Sequence, residues 1–246
     1  MTGKRLETLL GWGRYKLWRL KTILLAPFKE QVDALYDEKF FSTSYLRFEE
    51  RRHTAPKLFA DVLVKHLDPH SVVDIGCGIG TYLHCFQERG REILGVDGSR
   101  AAVKLALIPP EKMIEHDLRK PLELGKKFDL AICSEVAEHI PNRATRTLLE
   151  TVTRSSDTVV FSSPYGGPKS YFYHCNEKPG TEWIRLFKEN GFELDEATTE
   201  NIAGDFQAAL QEHGVRDPLP LEVAENLLVF RKGGTAAEKG RVGVRG

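Results

Sequence analysis

The chain has 246 residues, 41% of them hydrophobic, a length and composition that favour one substantial globular domain with extensions. It carries 35 basic and 35 acidic side chains, and this balance argues against a protein that coats nucleic acid. No two cysteines have Cys-x-x-Cys spacing, so neither a zinc knuckle nor a redox pair is predicted, and a reducing cytoplasm is the simplest compartment.

The chain begins with a basic segment of helical periodicity. Residues 4–29 contain seven Lys and Arg side chains and a single acid, Glu7, and leucines recur at helical spacing with Trp12 and Trp18 between them. This pattern predicts an amphipathic helical extension over residues 1–35. Two interpretations stay open: the helix lies on the inner, anionic membrane surface, or it caps the domain or packs in a dimer. The pattern has neither the features of a signal peptide nor an apolar run of about 20 residues.

Short apolar runs alternate with helical patterns over residues 36–232, which predicts a single domain. The predicted helices are residues 56–67 and four others that start near Thr81, Ser99, Arg143 and Thr181. The predicted strands are residues 71–75, 92–96, 112–115, 128–133, 158–162, 192–197 and 227–231. This alternation predicts an α/β fold with a doubly wound, mostly parallel, seven-stranded sheet. The tail over residues 233–246, rich in Gly, Ala and charge, is expected to be disordered.

The strongest local signal is the sequence VVDIGCGIGT at residues 72–81, where an apolar strand leads through a glycine-rich turn into a helix. Glycines let a backbone turn tightly and approach a ligand closely. The dinucleotide fingerprint needs glycine at position 81, which is Thr81, and the phosphate-loop ending G-K-S/T is absent. The loop therefore predicts a nucleoside-like ligand without the usual pyrophosphate or triphosphate contacts.

Two acids end the next two predicted strands. Asp97 follows Gly76 by about the twenty residues at which a carboxylate reaches a ribose, and Asp117 could accept a hydrogen bond from an adenine amine. Each acid alone is equally well explained as a loop or helix-cap residue. Because both follow consecutive strands, whose carboxyl ends meet at one edge of the sheet, we expect them to face one ligand.

These segments, in this order, resemble the class I S-adenosylmethionine (SAM)-dependent methyltransferases. The segments are DIGCGIG at residues 74–80, GVD at 95–97, HDL at 116–118, FDLAIC at 128–133 and EVAEHIP at 135–141. The resemblance implies SAM as the cofactor, with Asp74 and the glycine loop holding its methionine portion, Asp97 its ribose and Asp117 its adenine. The cofactor-binding residues that it implies are Asp74, Gly76, Cys77, Gly78, Asp97, Gly98, Asp117, Leu118, Ser134 and Glu135.

The segment over residues 135–139 resembles that of ubiquinone-biosynthesis O-methyltransferases. It also resembles the metal-binding E-x-x-E-H of small-RNA 3′-terminal 2′-O-methyltransferases, which add a later histidine; here the later histidine is His174. This second resemblance implies a site for Mg²⁺ or another divalent ion formed by Glu135, Glu138, His139 and His174. The alternative is that Glu138 and His139 brace the loop while Glu135 contacts the cofactor.

An oxygen nucleophile usually needs a base or a metal to remove its proton. His139 and His174 are the candidate bases, because neutral imidazole accepts protons near physiological pH, although either could instead be structural. An aromatic cluster is expected to line the acceptor pocket or to pack in the core. Its members are Tyr165, Tyr171, Phe172 and Tyr173.

The segments YDEKFF at residues 36–41 and HCNEKP at 174–179 resemble bacterial methyltransferases of glycan and natural-product pathways. The predicted function is therefore SAM-dependent O-methylation of a sugar, a glycoconjugate or another small-molecule hydroxyl. Two alternatives stay open. One is a metal-dependent RNA 2′-O-methyltransferase, which the neutral charge and the lack of an appended RNA-binding module disfavour. The other is a non-catalytic SAM-binding or scaffolding protein.

Overall fold

The computed structural model describes residues 34–44, 54–165 and 174–233. The predicted basic helix of residues 4–29, almost all of the predicted tail, and the aromatic residues at positions 171–173 lie outside these ranges. Within the ranges, no helix has both the length and the apolar character needed to span a bilayer.

Seven strands form one sheet in the order β3-β2-β1-β4-β5-β7-β6. They are β1 Ser71–Ile75, β2 Glu92–Asp97, β3 Met113–Glu115, β4 Leu130–Ser134, β5 Thr158–Ser162, β6 Phe192–Leu194 and β7 Leu228–Lys232. The first five strands pair in parallel, and β7 runs antiparallel to both of its neighbours, β5 and β6. The predicted mostly parallel, seven-stranded sheet is thereby confirmed. Asp74 lies near its centre, opposite Gly95 of β2 and Ile132 of β4.

The described helices cover both faces of this sheet. They are α1 Glu38–Ser44, α2 Thr54–Leu67, α3 Thr81–Glu88, α4 Arg100–Lys104, α5 Thr145–Ser155, α6 Gly180–Glu189, α7 Glu196–Glu212 and α8 Pro218–Asn226. Successive strand side chains point to opposite faces, so Val72 packs with α2, α3, α7 and α8, while Val73 packs with α5 and α6. The doubly wound arrangement follows from this division of the core.

One strand prediction was too long, and three of the described helices, α1, α7 and α8, were missed. The predicted strand at residues 192–197 ends at Leu194, because the Asp195 carboxylate accepts a hydrogen bond from the Thr198 amide and caps α7. Pro218 opens α8, where the Asp217 side chain accepts from the Leu219 amide. The other predicted strands and helices are present, with ends that differ by one or two residues.

Helix α7 is held by an aromatic contact that can be removed. Phe206 is 1% exposed, and its ring lies 5.0 Å from that of Phe59 in α2. We expect Phe206→Ala to lower the free energy of unfolding by about 3–5 kcal/mol, because it leaves a cavity between the helices. Urea denaturation measures this loss. Leu219→Ala is the control, since Leu219 is 41% exposed. This substitution should change the free energy of unfolding by no more than about 0.5 kcal/mol. A similar small loss for Phe206→Ala would contradict the packing described.

Candidate functional site

The glycine loop after β1 has the left-handed backbone that glycine favours. Gly76 has φ 89° and Gly78 has φ 55°. A Cβ on Gly76 would lie 2.3 Å from Cγ2 of Val136, so no larger residue fits there without displacing the loop after β4. The amides of Gly76 and Cys77 both donate to the Val96 carbonyl, at 2.7 and 3.1 Å, which attaches the loop to β2.

Asp97, the last residue of β2, holds this loop from the side. Its Oδ2 accepts from the Gly78 amide and its Oδ1 from the Ser99 amide, each at 2.8 Å. Burial raises the pKa of Asp97, although these amides and that of Gly98 favour the ionised form. Burial, and then the charge of Asp97, also raise the pKa of Asp74 to about 8. The charge of Asp97 therefore acts on the protonation of Asp74.

The pKa of Asp117 is shifted in the opposite direction, below its usual value. Arg119 donates from Nε to Oδ1 at 3.0 Å and from Nη2 to Oδ2 at 2.8 Å. Burial alone would raise the pKa of Asp117, but the hydrogen bonds and charge of Arg119 hold it below its usual value. Asp117 is therefore an ionised acceptor beside the buried Leu118.

A hydroxyl network joins the ends of β4 and β5. The Ser162 hydroxyl donates to Oε1 of Glu135 at 2.9 Å and lies 2.8 Å from the Ser134 hydroxyl. Glu135 has φ 57°, a strained value for a residue with a side chain and one that is often found at functional sites. Burial, with a contribution from the Glu222 carboxylate, raises the pKa of Glu135 to about 7.

Glu138 is a buried carboxyl with incomplete hydrogen bonding. Its Oε2 accepts from the Ser163 hydroxyl at 3.1 Å, whereas its Oε1 has no hydrogen-bond donor among the described residues. Burial, and then the Glu135 charge, raise the pKa of Glu138 well above its usual value. Such a group is costly to retain, and its incomplete pairing marks it as a candidate ligand.

Both predicted catalytic histidines lie beside this carboxyl. The Nε2 of His139 is 3.4 Å from Glu138 Oε1, without hydrogen-bond geometry, and the rings of His139 and His174 meet edge to face at 4.8 Å. The Nδ1 of His174 lies 2.7 Å from Oε1 of Glu177. One ligand atom from each of Glu138, His139 and His174 lies within 4.8 Å of the others.

Three of the four predicted metal ligands therefore lie together, and Glu135 is not in the group. The left-handed turn after β4 places the carboxylate of Glu135 against Ser162. The other interpretation of this residue, in which Glu135 contacts the cofactor, stays a prediction.

Reasoning from the sequence missed the residues that hold this loop in place. The amides of Cys175 and Asn176 donate to the Glu138 carbonyl at 2.8 and 3.1 Å, and Nδ2 of Asn176 donates to the Ala137 carbonyl at 3.0 Å. It also missed Glu177, three residues after His174. A carboxylate that close to a predicted ligand histidine is a usable signal, because such residues commonly orient the imidazole.

Comparison with known proteins agrees with this fold. A family model described as a methyltransferase domain matches residues 47–197, more than half of the chain. The chain therefore belongs to the class I SAM-dependent methyltransferase family. It is 30% identical over 125 residues to a ubiquinone biosynthesis O-methyltransferase of Nitrosomonas europaea, covering 47% of this chain and 52% of that protein. The corresponding Acinetobacter baylyi protein is 30% identical over 111 residues, covering 42% and 47%.

The chain thus spans about half the length of the curated relatives it matches. Among solved structures, the plantazolicin methyltransferase BpumL with a pentazolic desmethylPZN analog and SAH superposes with a TM-score of 0.55 at 15% identity, over 93% of this chain and 99% of that one. An O-methyltransferase from a trans-AT PKS multienzyme of Brevibacillus brevis gives 0.50 at 17% identity, over 80% and 79%. At these identities the likeness shows the shared fold.

The raised pKa of Asp74 predicts a pH dependence of stability. Its folded value is about 8 against a usual 3.8, so between these values the folded chain keeps a proton that the unfolded chain has released. The free energy of unfolding should therefore fall as the pH rises from about 4 through about 8. Asp74→Asn cannot ionise and should flatten this fall, which urea denaturation at several pH values measures. The fall should not vanish, because Asp97 and Glu135 contribute with the same sign.

The control for this experiment is Asp205→Asn. Asp205 is exposed, and its pKa is lowered by hydrogen bonds from Lys65 and His66, so its contribution is lost as the pH falls rather than as it rises. An Asp74→Asn variant with the same pH dependence as the wild type would show that Asp74 is ionised in the folded protein.

Proposed function

We propose that this chain binds SAM at the carboxyl edge of the sheet and transfers its methyl group to a small-molecule hydroxyl. The observation that carries the proposal is a juxtaposition at this edge. The glycine loop held by Asp97 follows β1, and Glu138 and His139 follow β4, the strand next to it, with His174 from the segment after β5 beside them. In open α/β sheets, ligands bind at this edge of the strands.

The donor and acceptor groups present fit SAM. A carboxylate has about four lone-pair positions, so Asp97 can accept from ribose hydroxyls while it keeps the Gly78 and Ser99 amides. Asp117 stays ionised beside Arg119 and can accept from the adenine amine. Asp74 and the loop glycines remain for the methionine portion, as the family resemblance implies.

The acceptor oxygen must lose its proton as it attacks. SAM supplies a methyl group that is electrophilic because it is attached to a sulfonium, and the chain must align the hydroxyl and take up the proton. His139 and His174 are the bases that we assign to this step. The Glu177 carboxylate beside Nδ1 of His174 fixes the tautomer of that ring, which orients the imidazole as a base or as a ligand.

As the alternative to a free histidine base, we propose that Glu138, His139 and His174 hold a divalent cation, since an imidazole nitrogen that binds a metal cannot also accept a proton. The oxygen of Glu138 that lacks a donor among the described residues would gain a partner, and one carboxylate with two imidazoles suits a first-row transition metal better than Mg²⁺, which prefers oxygen ligands. A cation held by these residues would supply Lewis acidity that lowers the pKa of the acceptor hydroxyl. Because the pKa of Glu138 is raised, binding of the cation would release a proton and would strengthen with pH.

The acceptor class is supported by the relatives more than by the site. Three of the proteins compared above are O-methyltransferases by name, two for ubiquinone biosynthesis and one from a trans-AT PKS multienzyme. A sugar or glycoconjugate acceptor is supported by the sequence segments at residues 36–41 and 174–179. Zero net charge favours a small molecule over RNA. A membrane or dimer contact through residues 4–29 and a cytoplasmic location stay predictions.

Cofactor binding can be tested first by calorimetric titration with S-adenosylhomocysteine (SAH). The wild type should show saturable binding to SAH and none to NAD. Asp97→Asn should weaken SAH binding roughly tenfold or more, since hydrogen bonds to a charged group contribute about 1.5–3 kcal/mol each. Asp205→Asn, which removes a surface carboxylate paired with Lys65, should bind like the wild type. A folded wild type that binds no SAH would refute the proposal.

Turnover can be tested with radiolabelled SAM and a panel of catechols and sugars. His139→Ala and His174→Ala should lower kcat about a hundredfold or more, the usual contribution of a general base, with SAH affinity retained. EDTA should remove activity and Mn²⁺ should restore it in the wild type, but not in Glu138→Gln.

His213→Ala is the matched control, because His213 is an exposed histidine at the end of α7 and should leave kcat unchanged. If the histidine variants are inactive but EDTA does not affect the wild type, the histidines act as bases and the proposed metal site is refuted. SAH binding without turnover on any acceptor would favour the non-catalytic alternative.

A further inference from the structure

Residues 34–44, here called the arm, pack across the glycine loop. Phe41 in α1 is buried, and its Cε1 lies 3.6 Å from the position that a Cβ on Gly78 would occupy. Phe41 belongs to a small apolar cluster with Ile79 of the loop and Ala101 and Ala102 of α4. The arm is thereby seated on the part of the sheet edge that we assign to the cofactor.

Tyr36 in the arm contacts both halves of the site. Its carbonyl accepts a hydrogen bond from the Ser99 hydroxyl at 2.7 Å, and the Ser99 amide donates to Asp97. Its ring meets the His139 ring edge to face, with centroids 5.8 Å apart and planes at 76°. A continuous set of contacts therefore leads from Asp97, through Ser99 and Tyr36, to His139.

The imidazole of His139 lies against two rings. Tyr36 contacts it at 5.8 Å and His174 at 4.8 Å. His139 is the last residue of the short 3-10 turn Ala137–His139. The His139 amide donates to the Val136 carbonyl, and the Ile140 amide donates to the Ala137 carbonyl. These backbone hydrogen bonds fix the position of the His139 Cα atom, and the neighbouring rings restrict the rotation of its side chain.

We propose that Tyr36 is a positioning residue for His139, and that the arm ties the orientation of this imidazole to the cofactor side of the site. The inference rests on the proposed function, in which His139 handles the proton of the acceptor. Removal of the Tyr36 ring leaves Asp74, Asp97 and Asp117 in place but allows the imidazole to turn. The loss is therefore expected in kcat and not in cofactor affinity.

The experiment compares Tyr36→Leu, which keeps apolar volume without a ring, with Tyr36→Phe, which keeps the ring. Leu105→Ala is the structural control, because Leu105 packs against the same apolar cluster at the end of α4. The first measurement needs no acceptor: the NMR signal of the His139 Cε1 proton, assigned by its loss in His139→Ala, is recorded at one fixed pH. Calorimetry with SAH and kcat on the acceptor found in the screen complete the set.

Tyr36→Leu should shift the His139 signal, because a neighbouring ring current is lost. It should lower kcat about tenfold to a hundredfold, the scale of a misaligned catalytic group, with SAH affinity within about threefold of the wild type. Tyr36→Phe and Leu105→Ala should keep the His139 signal and kcat near those of the wild type.

An unchanged His139 signal in Tyr36→Leu would overturn the inference. So would an equal loss of kcat in Leu105→Ala, because general loosening would then explain the effect. Failure of the proposed function gives a different pattern: the wild type binds no SAH, or His139→Ala keeps full activity, while the His139 signal still responds to Tyr36. If Tyr36→Leu does not fold, Tyr36→His replaces it in the experiment. The imidazole has a different ring current from the phenol ring, so the His139 signal should again shift.

Discussion

The organisation of the ligand edge depends on two backbone amides that share one carboxylate. Gly78 and Ser99 both donate to Asp97, and they belong to different turns, one before α3 and one before α4. Burial opposes the ionised form of this carboxyl, and the amides offset that cost, so the acid and the two turns stabilise one another. The left-handed backbone of Gly78 belongs to the same arrangement, because its amide points at Asp97. The arm depends on it as well, since Tyr36 bonds to Ser99.

The loop after β4 is under a different constraint, the burial of Glu138. Its backbone carbonyl is fully used, with donors from Cys175 and Asn176, while its carboxyl has a single hydroxyl donor among the described residues. The backbone of the loop is therefore well hydrogen-bonded, whereas its buried acid is incompletely paired. A buried polar atom without a partner costs stability. Glu138 lies beside two histidines, so a cation at this place is the ligand that would complete its pairing.

The sequence predicted best the parts whose signals are local. Residues 71–75 and 158–162 are apolar runs with clear ends, and both are strands with those bounds. The missed helix α7 also had a signal, since Ile202, Phe206 and Leu210 recur every four residues and are buried. The contact of Tyr36 with Ser99 had none, because 63 positions separate the two residues and the bond uses a backbone carbonyl. Glu135 had an ambiguous signal, which the left-handed turn resolved toward Ser162.

The protonation states of the acids connect the two halves of the site. Asp117 is ionised, whereas the pKa of Asp74 is about 8 and that of Glu135 is about 7 without a ligand. In the proposed function the cofactor brings a sulfonium and an ammonium group to this edge, and nearby positive charge favours the ionised form of a carboxyl. Binding would then draw protons from these acids, and by linkage the affinity for the cofactor would rise with pH through the same range. The burial that costs stability at neutral pH would in this way make the affinity for the cofactor depend on pH.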